Sequence, residues 1–218
     1  DGGGLSHTPA RNDFFASGLT CPGDVDGDGV NDLAAGIYGY NLPGRANCGA
    51  TLILFLNSDG TVREETLLTH ELAGMPTLPA NIEFGYSMDV VGDLNQDGIN
   101  DLIIGAWEED EQWNNSGAVW FVYLNADGSA QLVGKISNNY GNFNRTLVLN
   151  DGFGAGVATI GDLDNNCIDE IMVGAYLADE STASADKDKG TVFTIFLKDS
   201  AFAPISKQAP EILSLIHI

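Results

Sequence analysis

The sequence predicts an all-β fold built from β-propeller blades, and three observations carry that expectation. An acidic loop, "GDVDGDGVND" from Gly23, returns as "GDLNQDGIND" from Gly92 and "GDLDNNCIDE" from Gly161, so Asp24, Asp93 and Asp162 are spaced by 69 residues. Each copy leads to a run rich in aromatic and β-branched residues, "GATLILFLNSDGTV", "GAVWFVYLNADGSA" and "GTVFTIFLKDSA", and the first two close on the hairpin signal Asn-x-Asp-Gly. A repeat of this length is long for a solenoid and suits a four-stranded antiparallel blade with long loops.

In chain order, residues 1–12 resemble the connector "NNYGNFNRTLVL" ahead of the third unit, and residues 1–14 are expected to be a connector from a preceding blade. The first unit spans 15–83, the second 84–152 and the third 153–207; each opens on a phenylalanine (Phe15, Phe84, Phe153) nine residues before its loop's first aspartate. After the loops come Gly36-Ile37-Tyr38, Gly105-Ala106-Trp107 and Gly174-Ala175-Tyr176, then a variable polar connector, the β-rich run and a fourth apolar segment, "REETLLTHEL" or "AQLVGKIS". The third unit lacks the turn after Leu197, and "APISKQAPEIL" interrupts it with two prolines, so an incomplete blade and a non-propeller tail over 208–218 are expected. The final "LSLIHI" also translates one frame of a transposon end used in DNA library preparation; an artefactual tail is one reading of it, an ordinary apolar strand the other. One blade cannot bury both faces of its sheet, and three do not close a ring, so the chain reads as a fragment of a larger propeller.

Composition narrows the partners. Against 31 acidic residues stand 9 basic ones, a formal charge of −22, which disfavours nucleic acid and anionic membrane surfaces and favours a cation. Hydrophobic residues at 44% identify a folded chain, and no run approaches the roughly 18 apolar residues of a membrane span. With a start at Asp1 and no Met, the numbering is expected to begin inside a longer product. Cys21, Cys48 and Cys167 form no CxxC pair, so zinc is not expected.

The loops point to a metal. In "DVDGDGVND", Asp24, Asp26, Asp28 and Asp32 hold positions 1, 3, 5 and 9. Four carboxylates so close repel one another, and a hard dication with six to eight oxygen ligands relieves that repulsion. Gly29 at position 6 suits the positive-φ turn such a loop needs, and Val30 at position 7 offers its carbonyl. Oxygen donors without imidazole or thiolate select calcium or magnesium, and a flexible all-protein cage favours calcium. An EF-hand is excluded, because position 12 is Ala35, Ile104 and Val173 in place of Glu and the flanks are β-like.

Phe-Gly, a DxDxDGxxD loop and Gly-Ala, repeated in register over residues 15 to about 198, resemble the FG-GAP repeats of integrin α-subunit propellers and their bacterial relatives. The resemblance implies a seven-bladed propeller with calcium on one face and partners on the other. It implies ligands Asp24, Asp26, Asp28, Val30 (carbonyl) and Asp32 in the first loop, and Asp93, Asn95, Asp97, Ile99 (carbonyl) and Asp101 in the second. In the third it implies Asp162, Asp164, Asn166 and Ile168 (carbonyl), with Cys167 at the turn glycine and Glu170 at the closing aspartate. Those two departures make the third the weakest site, so up to three calcium ions are expected, with affinity falling from first to third.

Other residues carry less. Cys21 and Cys48 are expected to form a disulfide within the first unit, the alternative being two buried thiols. His7, His70 and His217 belong to no nucleophile constellation, and no phosphate-binding glycine loop occurs, so no catalytic residue is assigned. Trp107, Trp113 and Trp120 suit a sugar-binding surface or packing between blades; Trp120 is expected to pack and Trp113 to be exposed. The variable connectors 37–49, 107–116 and 176–189 are the expected recognition loops, for a protein or glycan ligand. Sequons at Asn114 and Asn144 carry little weight. The function expected is that of a non-catalytic calcium-binding segment of a secreted or cell-surface protein, for adhesion or extracellular recognition. The alternatives are an accessory propeller of a larger secreted hydrolase or lyase, and a structural spacer.

Overall fold

The computed structural model describes residues 3–110, 115–143, 145–178, 189–198 and 215–217. Trp113, the sequons at 114 and 144, and connector residues 179–188 lie outside the described residues.

Three four-stranded antiparallel sheets follow one another along the chain, and no helix occurs among the described residues. The first holds β1 (Phe15–Gly23), β2 (Asp32–Ile37), β3 (Ala50–Leu56) and β4 (Val62–Leu68); the second β5 (Met88–Gly92), β6 (Asp101–Ala106), β7 (Ala118–Leu124) and β8 (Ala130–Ile136). The third holds β9 (Phe153–Gly161), β10 (Glu170–Ala175), β11 (Thr191–Ile195) and β12 (Leu215–His217). Strand order within each sheet is sequential, as in a propeller blade.

β12 corrects the sequence expectation of a non-propeller tail. Its pairing with β11 runs Phe193↔His217, Thr194↔Ile216 and Ile195↔Leu215, so the fourth strand comes from the far side of the two prolines. β11 would otherwise present an open edge of unpaired amides and carbonyls.

Both faces of the middle sheet are covered, which is why β6 and β7 read as continuous apolar runs. Side chains alternate across β7: Trp120, Val122 and Leu124 pack with Ile53, Phe55 and Leu68 of the first sheet, while Val119, Phe121 and Tyr123 pack with Ile171, Val173 and Phe193 of the third. Trp120 is 4% exposed and fills the interface between the first two blades. Each such side chain stabilises the stack by about 1.5–3 kcal/mol.

The repeat marks meet across blades. Gly49 bridges Phe84, and Gly117 bridges Phe153, each in parallel. A β-carbon on Gly36 would stand 1.9 Å from the Gly85 carbonyl oxygen, and one on Gly105 would stand 2.0 Å from that of Gly154. The Phe-Gly of one unit thus docks on the penultimate residue, a glycine, of β2 or β6 in the unit before it.

The expected Cys21–Cys48 disulfide is absent; both thiols are free, Cys48 buried and Cys21 exposed. Cys21 stands near the Gly23↔Asp32 end of the first sheet, whereas Cys48 precedes Ala50, the partner of Ile37 at the other end. Five residue steps of strand, roughly 16 Å, separate those ends, and a disulfide needs α-carbons within about 7 Å. The Cys48 thiol donates instead to the Tyr40 carbonyl at 3.6 Å.

Candidate metal centre

The three acidic loops join the first strand of each sheet to the second, and all three adopt the same conformation. In the first, Asp28 N–H donates to Asp24 Oδ1 (3.0 Å) and Asp26 Oδ1 (3.2 Å), Gly29 N–H to Asp24 Oδ2 (2.8 Å), and Val30 N–H to Asp28 Oδ1 (2.8 Å). The second repeats this with Asp97 N–H on Asp93 Oδ1 (3.0 Å) and Asn95 Oδ1 (3.2 Å), Gly98 N–H on Asp93 Oδ2 (2.8 Å) and Ile99 N–H on Asp97 Oδ1 (3.0 Å). In the third, Asn166, Cys167 and Ile168 donate in the same way to Asp162, Asp164 and Asn166. Gly29 and Gly98 take φ of 89° and 93°. Cys167 keeps the turn at φ 68°, a left-handed conformation that costs a residue with a β-carbon about 1–2 kcal/mol.

The closing residue anchors each loop to its sheet. Asp32 is buried and accepts from Val25 N–H at 2.9 Å and Leu56 N–H at 3.0 Å; Asp101 accepts from Leu94 N–H at 3.0 Å and Leu124 N–H at 3.1 Å. Burial pushes the Asp101 carboxyl up to about 7, with Asp97 and Asp93 adding repulsion against the two amides that favour its charged form. Glu170 accepts from Leu163 N–H at 2.5 Å with Oε2, while its Oε1 is buried without a hydrogen-bond partner. Burial also raises Asp32 and Glu170.

Among the described residues, two sets of three carboxylates bring their oxygens within 4.8 Å of one another, Asp24, Asp26 and Asp28, and Asp162, Asp164 and Glu170. In the second loop Asn95 stands where Asp26 does, so one of its oxygen donors is an amide. The donor set fits a hard divalent cation: it is all oxygen, its charge is crowded, and Glu170 carries a buried acceptor that lacks a proton donor. Ile99 and Ile168, expected to offer their carbonyls, pack their side chains on the apolar clusters at the two blade interfaces.

The sequence did not single out two neighbours of these loops. Arg63 at the start of β4 pairs with Asp26 and, at 3.2 Å, with Asp28. Gln131, its counterpart in β8, exchanges hydrogen bonds with Asn95 (2.7 Å) and Asp97 (3.4 Å). The charges of Arg63 and Asp26 were visible, but a pairing across 37 positions carries no local signal.

The opposite ends of the sheets carry aromatic rings. Tyr38, Trp107 and Tyr176 directly follow β2, β6 and β10, and with Phe14 and Tyr86 they form one continuous arc. Centroid distances are 4.6 Å for Phe14–Tyr38, 5.2 Å for Tyr38–Tyr86, 5.5 Å for Tyr86–Trp107 and 5.4 Å for Trp107–Tyr176. The Trp107 Nε1–H donates to Glu83 Oε2 at 2.7 Å. Phe14 and Tyr176, the two ends of the arc, are exposed.

The FG-GAP repeat family model matches residues 84–122. The chain is 29% identical to integrin alpha-2 of Mus musculus over 173 residues and 30% identical to integrin alpha-2 of Bos taurus over 166, covering 78% and 75% of this chain. It is 30% identical to phosphatidylinositol-glycan-specific phospholipase D of Bos taurus over 134 residues, 59% of this chain. The matched segments span only 14%, 13% and 16% of those three proteins.

Proposed function

This chain is an FG-GAP repeat protein of the integrin-α-like propeller kind, and from that premise we propose that it is a non-catalytic, calcium-binding propeller segment of a secreted or cell-surface protein, working in adhesion or extracellular recognition. The observation that carries the reading is the repeated loop, in which three equivalent sets of oxygen donors sit at the same junction of three consecutive blades. Bound calcium supplies the positive charge that crowded carboxylates lack. Asp24, Asp26, Asp28 and Asp32 would hold it in the first loop, with Val30 through its carbonyl. Asp93, Asn95, Asp97, Asp101 and Ile99 would do so in the second, and Asp162, Asp164, Asn166, Glu170 and Ile168 in the third. The same side chains fasten β1 to β2, β5 to β6 and β9 to β10, so binding and blade stability are coupled.

Recognition of a protein or glycan ligand is assigned to the other end of the sheets, where the aromatic arc lies and where β2, β6 and β10 lead into the variable connectors. Loops on a rigid scaffold are where binding usually resides. A propeller that completes itself with further blades, seven in all, accommodates the two outer sheets. Titration calorimetry of the full chain tests the reading. Binding of calcium at two or three sites, with Asp24→Ala and Asp93→Ala each removing one, is the expected result; no heat of binding up to millimolar calcium refutes it.

The similarity to phosphatidylinositol-glycan-specific phospholipase D favours a second reading, an accessory propeller of a larger secreted hydrolase. A catalytic domain in the same open reading frame would select that reading.

A further inference from the structure

The first loop carries a counter-charge of its own. Asp26 and Asp28 each give Oδ1 to a loop amide, Asp28 N–H and Val30 N–H respectively. Their remaining oxygens, both Oδ2, receive the Arg63 guanidinium, with 3.2 Å to Asp28. These are the two oxygens that the loop backbone leaves free for an ion. In the second loop the same place in the register is neutral: Arg63 follows Val62, the partner of Leu56, and Gln131 follows Ala130, the partner of Leu124. There Asp97 Oδ2 accepts from Asn95 Nδ2 at 2.9 Å and from Gln131 Nε2 at 3.4 Å. The two blades therefore differ by two matched exchanges, Asp26 for Asn95 and Arg63 for Gln131, which leave the local charge balance of the two loops the same.

We infer that Arg63 is a resident counter-ion of the first loop, competing with calcium for Asp26 and Asp28, so that this loop holds its shape with less metal and binds calcium more weakly than its carboxylate count implies. The inference rests on the calcium reading above and removes the first loop's advantage over the second that carboxylate number alone would give. A cation fixed by the fold at hydrogen-bond distance from two ligand oxygens must be displaced from them, or must share them, when a dication binds. Removing it lowers that cost but leaves the metal-free loop with uncompensated repulsion. With the Arg63 side chain 40% exposed, solvent screens the effect to roughly three- to tenfold in affinity.

The test is calcium titration calorimetry on the full chain in an Asp97→Ala, Asp162→Ala background, which isolates the first loop, paired with thermal melting in chelator. Arg63→Gln is expected to bind calcium roughly three- to tenfold more tightly than its parent and to melt lower in chelator, and Arg63→Lys to stay near the parent in both. The mirror variant, Gln131→Arg in an Asp28→Ala, Asp162→Ala background, is expected to weaken the second loop by a similar factor, and it remains informative if Arg63→Gln does not fold. Calcium binding that is unchanged or weaker in Arg63→Gln, or unchanged in Gln131→Arg, overturns the inference while leaving the calcium reading intact. Absence of calcium binding in the unsubstituted chain overturns both and is told apart by that control.

Discussion

Asp101 accepts the Leu124 N–H at 3.1 Å, joining the end of the second acidic loop to the last residue of β7. Its other oxygen takes Leu94 N–H, and Asp101, Leu94 and Leu124 are all buried. Asp101→Ala leaves two buried amides without an acceptor, at about 1–3 kcal/mol each. Urea denaturation in calcium-free buffer is expected to show a loss of about 2–5 kcal/mol, and a loss below 1 kcal/mol would mean that water or a shifted loop replaces the carboxylate.

Equivalent glycines are expected to differ in tolerance. A β-carbon on Gly105 collides with the Gly154 carbonyl at 2.0 Å, whereas one on Gly174 meets nothing closer than 3.7 Å. Gly105→Ala should therefore destabilise the chain by about 2–3 kcal/mol or prevent folding, and Gly174→Ala should change the melting temperature little. Equal effects would show that the close approach between blades is not what requires glycine.

Glu83 couples the aromatic arc to pH. Burial raises its carboxyl above the ordinary 4.5, the Trp107 N–H opposes that shift, and Glu108 adds to it. A raised acid contributes stability that is fully present below about pH 4.5 and is lost as pH climbs through the folded-state value. The melting temperature of the unsubstituted chain relative to Glu83→Gln should therefore fall as pH is raised from about 4 towards 7. A constant difference over that window would contradict the assignment.

The thiols should separate by burial. Cys21 and Cys167 are exposed, while Cys48 is buried and its thiol is pushed up by that burial. A thiol reagent at neutral pH is expected to modify two cysteines in the native chain and three after denaturation. Fewer than two reacting natively would place Cys21 or Cys167 in a protected environment.

Much of this architecture is legible in the sequence because the signals are local. The loop positions that turn carboxylates towards backbone amides, and the hairpin turn at Asn57-Ser58-Asp59-Gly60, lie within a few residues of one another. What is not legible depends on contacts between distant segments. Gly36 and Gly85 are visible as repeat marks, but only the fold brings them together. Tyr38, Trp107 and Tyr176 are spaced alike, yet nothing local announces that Tyr86 is inserted between the first two. The expectation of a Cys21–Cys48 bridge failed for a related reason: both residues belong to one unit, and an antiparallel sheet puts them at opposite ends. Two prolines obscured β12, since a strand can resume after them.

Thermal melting of the full chain in calcium and after exhaustive chelation is the most direct measurement of whether these loops are metal sites that fasten the blades. With free calcium tenfold above each Kd, every filled site adds about 1.4 kcal/mol. Two or three filled sites should raise Tm by roughly 5–15 °C, with magnesium at the same concentration giving a smaller rise. An identical Tm in calcium and in chelator would contradict the assignment of all three loops.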